Sequence, residues 1–330
     1  MRLEIGDLRE EHLEDAAALV ASRTRALRQE VPPLPARYEE VAAILPLLSK
    51  LARRAPGVAA TRGGRLAGFL LGMALREFQG RRAAYSPEWA NAAEEDASRE
   101  IYRELYARLA PRWLANGCFV HVVTMLAHDR PGIDGWQWLS FGLMAVDAVR
   151  NLSPVPEPGV PVAIRRAGPA DLDQVQALEE ALARYLAGPP IFLAFTGAEG
   201  KESLKESLAD PRHAWWLAHS GAEAMAYLLL GPASEDAATF IVDDKTASIT
   251  GAFTCESLRG TGVGTALLSR GLDWARSAGY ERCAVDFEPQ NLLATRFWLR
   301  HFQPVCYSLM RCVDERLAWA HGQRQPNDLW

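Results

Sequence analysis

Arg259-Gly260-Thr261-Gly262-Val263-Gly264-Thr265 sets three alternate glycines behind an arginine and directly ahead of an apolar run, TALLSRGLDWARSAG. Residues of these types at this spacing suit an anion. The first turn of a helix presents unpaired N–H groups and the positive end of the helix dipole. Glycine lets a phosphate approach the main chain and permits unusual backbone angles. Arg259 adds a fixed charge in a bidentate fork, and Thr261 and Thr265 add hydroxyl donors. Three phosphate ligands compete, against a glycine turn with no ligand. A nucleoside triphosphate loop requires G-x-x-x-x-G-K-[ST], and no lysine stands in this stretch. A dinucleotide turn requires G-x-G-x-x-G. Counted from Gly260 its last position is Thr265, and from Gly262 it is Leu267, although Asp286 stands where a ribose-binding carboxylate would. A diphosphate on an R-x-x-G-x-G loop meets neither objection.

That loop resembles the acetyl-CoA loop of the GCN5-related N-acetyltransferase (GNAT) superfamily. A strand, ITGAFTC, precedes it, and NLLATRFWLRHFQPV follows, similar to the family's N-x-x-A-x-x-F-Y element through Asn291, Ala294 and Phe297. The resemblance covers 162–312. It implies acetyl-CoA as cofactor, held by Arg259 to Thr265 with Val263 inside the loop, by Asn291, Ala294 and Phe297, and by main-chain N–H groups of Phe253, Thr254 and Cys255. It implies transfer of acetyl to a primary amine.

Acetyl transfer from a thioester needs a neutral amine, a donor for the developing oxyanion and a proton for the leaving thiolate. The chain departs from the family in the side chains for these tasks. The strand 247–255 contains no Asp or Glu as general base, and Trp298 replaces the Tyr that serves many members as general acid. RHF stands where R-x-G-F is common. Glu288, just past the strand AVDF, and Tyr307, on the closing strand, are the substitute candidates for base and acid. Against each stands the plainer reading of a solvated loop carboxylate and a packed tyrosine. Cys255 as an acyl carrier lacks a histidine in fixed relation, so a small buried cysteine is the better reading. Direct attack with proton removal through water needs no special residue. Phe192 and Phe195, in YLAGPPIFLAFTGAEG, are candidates for the wall of the acceptor site.

These residues need a frame to hold them, and the chain shows it twice. VAIRRAGPADLDQVQALEE matches the opening LEIGDLREEHLEDAAALV, with Ile5 against Ile164 and Leu13 against Leu172. Trp113 and Trp274, Phe141 and Phe302, and Arg150 and Arg311 pair at an offset of 161. A duplicated unit of ~160 residues follows. Each copy reads as strand, amphipathic helix, hairpin, strand, helix, strand, helix and closing strand, an α/β (α+β) mixed sheet covered by helices. The hairpins turn at Gly63-Gly64 and Ser220-Gly221. NLSPVPEPGVPV, with four prolines, is a semi-rigid linker. The expected organisation is a degenerate GNAT-like domain at 1–150, a linker at 151–162 and a GNAT domain with the acetyl-CoA loop at 163–330. The first copy is degenerate because the loop maps onto SREIYRE, where Arg99, Ile101 and Arg103 replace the glycines and the helix begins earlier. Tandem members of the superfamily, the mycothiol synthase-like group among them, show that arrangement.

Composition narrows the function classes. The 330 residues are 49% apolar and 23% charged, with formal charge -5 and a pI of about 5.9. A nucleic-acid partner, which wants a basic face, is not expected. Nor is a membrane, since no apolar run approaches the ~20 residues of a span. Five cysteines without a C-x-x-C read as free thiols of a cytoplasmic protein. No metal is expected: His121, in VHVVTMLAHD with His128 and Asp129, reads as a hydrogen-bonded core histidine. The expected partner is a small-molecule amine, the rivals being acetylation of a protein N-terminus or lysine, and a non-catalytic coenzyme A sensor or scaffold. A homodimer stays open.

Overall fold

A computed structural model describes residues 2–156, 158–160, 162–194, 200–234 and 237–317. The chain forms two compact units. Unit 1 comprises 1–146, 238–240 and 304–330, and unit 2 comprises 147–237 and 241–303.

In unit 1, β1 (Leu3–Asp7) leads to α1 (Leu13–Glu30) and α2 (Val41–Ala52), then β2 (Gly57–Arg62), β3 (Arg65–Leu71), β4 (Met73–Phe78), β5 (Arg81–Ser86) and β6 (Asn91–Ala93). α3 (Ser98–Ala115), β7 (Val120–Leu126) and α4 (Arg130–Trp138) follow. β8 (Gly142–Asn151) begins in this unit and ends in unit 2. One sheet has the order β1-β2-β3-β6. In the other, β4 and β5 are antiparallel, and β5 runs parallel to β7. The core forms where Ile101, Tyr102, Leu105, Tyr106, Leu109 and Trp113, spaced at three and four along α3, bury one stripe.

Unit 2 contains β9 (Ala163–Arg166), α5 (Leu172–Ala187), α6 (Lys201–Ala209), β10 (Ala214–Ser220), β11 (Glu223–Pro232), β12 (Thr246–Thr254), α7 (Val263–Ser277), β13 (Arg282–Phe287) and α8 (Leu292–His301). Its strand order is β9-β10-β11-β12-β13-β8. The hairpin β10–β11 turns at Gly221, whose φ of 64° requires glycine. Alternation along β11 serves two layers. Tyr227 packs with Val175 and Leu178 of α5, while Leu228 and Leu230 point to α7, where a Cβ on Gly271 would lie 2.6 Å from Leu230. The apolar run of α7 is buried at Ala266, Leu267, Leu272 and Ala275. Trp274 is only half-buried, beneath the Arg166 guanidinium at 5.8 Å.

The closing strands depart from the order of the sequence. β14 (Gln303–Cys312), last in the second copy, lies in unit 1, where Cys306–Cys312 pair antiparallel with β7. The end of β8, last in the first copy, lies beside β13 in unit 2. The matched arginines follow their strands. Arg311 sits over Tyr106 in unit 1 at 5.8 Å, and Arg150 over Phe302 in unit 2 at 5.7 Å. The compact units therefore do not coincide with the two halves of the sequence.

Candidate active site

Unit 2 contains an open cleft of about 360 Å³ between α5, β12, α7 and α8. Its floor comes from a local irregularity. β12 pairs in parallel with β13 only over Thr246–Ile249, and its register against β11 shifts between Leu229 and Leu230. Beyond that bulge β12 continues to Thr254 without β13. The Cys255 N–H donates to the Met225 carbonyl at 2.9 Å. In an antiparallel ladder the main-chain groups alternate in side. Cys255 and Phe253 thus turn their N–H groups toward β11, while Ala252 and Thr254 turn theirs away from it, and both of these line the cleft. This corrects the expectation of three consecutive donors. Thr254 keeps its place, Ala252 joins it, and Phe253 contributes its ring.

Gly260, Gly262, Val263, Gly264 and Thr265 line the other end of the cleft, at the start of α7. Gly262 is the N-cap residue, left-handed at φ 94°, and Gly260 has φ 77°. No side chain caps this helix, and its first turn holds no acidic residue. Among the described residues no acceptor stands opposite the N–H groups of Gly260, Gly262 or Gly264. The three glycines are not equivalent. A Cβ at Gly260 would meet nothing within 4 Å, and one at Gly264 would make ordinary contact with Phe297 at 3.5 Å. One at Gly262 would lie 2.9 Å from Pro158 Cγ, so the close approach there is made by the linker. The Thr261 hydroxyl donates to the Leu258 carbonyl at 2.7 Å and is not a spare donor. Thr265 lines the cleft.

Arg259 turns back toward β12. Its Nε donates to the Thr254 carbonyl at 3.1 Å, and its guanidinium lies 4.6 Å over the Tyr185 ring. The Tyr185 hydroxyl donates to Asn291 Oδ1 at 3.2 Å, and the same oxygen caps α8 by accepting from Ala294 N–H at 3.2 Å. Tyr185 joins three elements, and sequence reasoning missed it. The signal was present, since Leu182 and Tyr185 are three apart on the buried side of α5, but that spacing reads as core. Ala294, Phe297 and Trp298 complete the wall, with Leu293 and Arg300 at its margin.

No carboxylate and no imidazole lines the cleft among the described residues. Glu288 is half-buried outside the lining, and its carbonyl accepts from Asn291 N–H. Tyr307 is displaced from this unit by the exchange of closing strands. It pairs with Met125 in unit 1, its ring 5.8 Å from the Arg130 guanidinium. The expectation of Tyr307 as acid in this cleft is thereby corrected: it belongs to unit 1 and is not among the residues that line the cleft. Phe192 is 73% exposed, at φ 52°, and does not line the cleft, and Phe195 lies outside the described residues. Cys255 is half-buried, its thiol pushed up by burial and then by Glu223, against a nucleophilic role. The Tyr227 phenol is held well above its usual range by burial first and then by Glu179.

Unit 1 has the same helix pair, and among the described residues no equivalent cleft opens at the start of α3. α3 begins about one turn earlier than α7 at the 161-residue offset. Its start is closed off: Ser98 Oγ donates to Asp129 at 2.7 Å, and a Cβ on Gly135 of α4 would lie 2.8 Å from the Arg99 carbonyl. Ile101 is wholly buried core. The remaining hollow, between Arg23, Glu88 and Asp129, has about 10 Å³, room for one water. His121 is a satisfied core histidine. Its ring nitrogens lie 2.8 Å from the Tyr106 hydroxyl and 3.0 Å from the Cys118 carbonyl, and burial lowers its pKa to about 4.

Residues 180–302 match the acetyltransferase (GNAT) family. No curated protein sequence matches the chain. The structure of a GCN5-related N-acetyltransferase from Sphaerobacter thermophilus is similar at TM-score 0.55 and 13% identity, over 94% of this chain and 95% of that one. A tandem GNAT protein from the clavulanic acid biosynthesis pathway aligns at TM-score 0.47 and 15% identity, over 94% and 98%. A fungal structure described as a glucosamine N-acetyltransferase region in a multi-domain β-N-acetylglucosaminidase aligns at 0.48 and 12% identity. It covers 94% of this chain, which spans only 38% of that one. Residues 180–302, which supply every residue of the cleft, are thus the part of the chain that matches the acetyltransferase (GNAT) family, and the chain's fold is similar to that of the Sphaerobacter acetyltransferase.

Proposed function

We propose that the chain transfers acetyl from acetyl-CoA to a primary amine of a small molecule, using the unit 2 cleft. The observation that carries this is the cleft's two ends. One holds unpartnered main-chain N–H groups at an uncapped helix start, and the other a strand edge released from β13. A diphosphate fits the first, and a thioester-bearing arm can hydrogen-bond to Ala252 and Thr254 along the second. The residues present fit coenzyme A. Gly260, Gly262, Val263, Gly264 and Thr265 would hold the diphosphate. Arg259 and Arg300 would add charge, and Asn291, Ala294 and Phe297 would form the wall along the arm. Acetyl-CoA supplies the activated acyl group.

The chain's own residues orient and desolvate rather than take the proton directly. Among the described residues no carboxylate or imidazole lines the cleft, which supports direct attack with a water carrying the amine proton away. We assign the proton for the leaving sulfur to the Tyr185 hydroxyl, which lines the cleft and would give up its hydrogen bond to Asn291 Oδ1 to deliver it. A small acceptor is favoured over a basic peptide because the lining carries two arginines and no anion to receive a lysine-rich segment. Thermal unfolding with and without coenzyme A, followed by an amine panel read by thiol release, tests the reading. Stabilisation and turnover with a small amine support it. Turnover only with peptides favours protein acetylation, and stabilisation without turnover favours a sensor. An unshifted melting curve would sink all three.

A further inference from the structure

The proline-rich linker is docked along its length on the helix that starts the cofactor loop. The Leu152 carbonyl accepts from Arg276 Nη2 at 2.8 Å, in the last turn of α7. The Val155 carbonyl accepts from Ser269 Oγ at 3.4 Å, near the middle, and the Leu152 and Val155 side chains are buried. At the opposite end of α7, the Cβ position of Gly262 is 2.9 Å from Pro158 Cγ and 3.6 Å from Val160 Cγ1. The segment thus follows α7 from its C-terminal turn to its N-cap and meets the loop there.

Gly262 is the residue on which the loop turns. Its left-handed backbone at φ 94° directs the chain into α7 and aims the amides that follow. Pro158 occupies the volume a side chain would take, so the peptide planes flanking Gly262 cannot swing that way without lifting the linker. Pro154, Pro156 and Pro158 restrict the linker's own freedom, so docking it costs little conformational entropy. We infer that Pro158 and Val160 are a working part of the diphosphate site, positioning residues that hold Gly262 and so aim the N–H groups of Gly262, Val263 and Gly264 at the ligand. This rests on the coenzyme A reading of the cleft. Linkage then makes the effect reciprocal: whatever the docked linker adds to diphosphate binding, a bound diphosphate returns to linker docking.

The test uses the full chain and two ligands, coenzyme A and pantetheine, which shares the arm but lacks the diphosphate. In the wild type, coenzyme A should slow hydrogen exchange at the Gly159 and Val160 amides, and pantetheine should not. Pro158→Gly should weaken coenzyme A, titrated calorimetrically, by about fivefold or more, the low end of ordinary coupling. Val160→Ala should weaken it less, and pantetheine, followed by chemical-shift titration, should bind both variants as it binds the wild type. Should Pro158→Gly fold poorly, Val160→Ala and the exchange measurement carry the test. Coenzyme A binding equally well to all three proteins, with linker exchange unmoved, would overturn the inference. So would a loss shared equally by pantetheine, which would mark general damage to unit 2. A wild type that binds neither ligand would overturn the cleft reading itself.

Discussion

Three alanine substitutions in one loop separate what three similar glycines do. At Gly262 two costs add. An L-residue at φ 94° costs about 1–2 kcal/mol in the left-handed region. A methyl 2.9 Å from Pro158 Cγ adds roughly 1–3 kcal/mol of overpacking unless the linker lifts. Gly260→Ala bears only the backbone cost, about 1–2 kcal/mol, since nothing lies within 4 Å. Gly264→Ala bears neither, because its φ is not positive and its methyl would rest on Phe297 at 3.5 Å. Inside a helix, glycine to alanine returns roughly 0.5–1 kcal/mol. The expected order of stability is Gly264→Ala at or above wild type, then Gly260→Ala, then Gly262→Ala. At roughly 2–4 °C per kcal/mol for a domain of this size, the extremes should differ by about 10 °C. Thermal unfolding without ligand reads the order, and coenzyme A titration shows whether Gly262→Ala also loses affinity. If Gly264→Ala proves the most damaging, or the three melt together, the assignment of separate roles is wrong.

Other perturbations probe different parts of the chain. Tyr185→Phe should lower kcat by about 100-fold if the hydroxyl protonates the leaving sulfur, with coenzyme A affinity retained, while an unchanged kcat would reduce the residue to packing. Glu88 is buried in unit 1 with Phe240 N–H donating to it at 3.1 Å, and burial raises its pKa to about 7 from 4.5. The folded state then binds more protons than the unfolded between those values, so stability should fall by about 3 kcal/mol from pH 4.5 to 7 and level off above. Glu88→Gln should remove that slope in urea titrations across the range, and a slope that persists would contradict the assignment. A fragment of 163–330 would carry β14 without β7 and β13 without β8, so it should melt without a cooperative transition by circular dichroism. A fragment of 142–303, which keeps β8 and omits β14, should unfold cooperatively; cooperative unfolding of the first fragment would count against the exchange.

The sequence made the site's local chemistry legible and left its partners hidden. The glycines at 260–264 and the Asn291–Ala294–Phe297 element are recognisable from residues within a short stretch, and the structure puts them along the cleft. The closed start of α3 was legible for the same reason, since Arg99, Ile101 and Arg103 are side chains where the other copy has none. Ile101 also shows what such a comparison leaves out. Aligned with a glycine of the loop, it is a wholly buried core residue against Gly68, so an arginine there would test folding rather than ligand binding.

What escaped was pairing across long separations. A strand's alternation says which face is apolar, not which strand lies beside it. The pattern PVCYSLMRCV is equally good beside β13 or beside β7, and the choice moves Tyr307 from one unit to the other. The sequence similarity of the two halves deepens the ambiguity, because the segments of β8 and β14 match each other at the 161-residue offset. The matched arginines decide the matter only in three dimensions, where Arg311 finds Tyr106 and Arg150 finds Phe302. Tyr185 escaped for a related reason. An aromatic three residues beyond Leu182 satisfies helix packing whether or not its hydroxyl meets Asn291, 106 residues away. The cleft accordingly divides by range of interaction: the glycines and helix start that would hold the diphosphate are local and readable, while the linker contact that packs on Gly262 and the part that would handle the proton rest on contacts that only the fold creates.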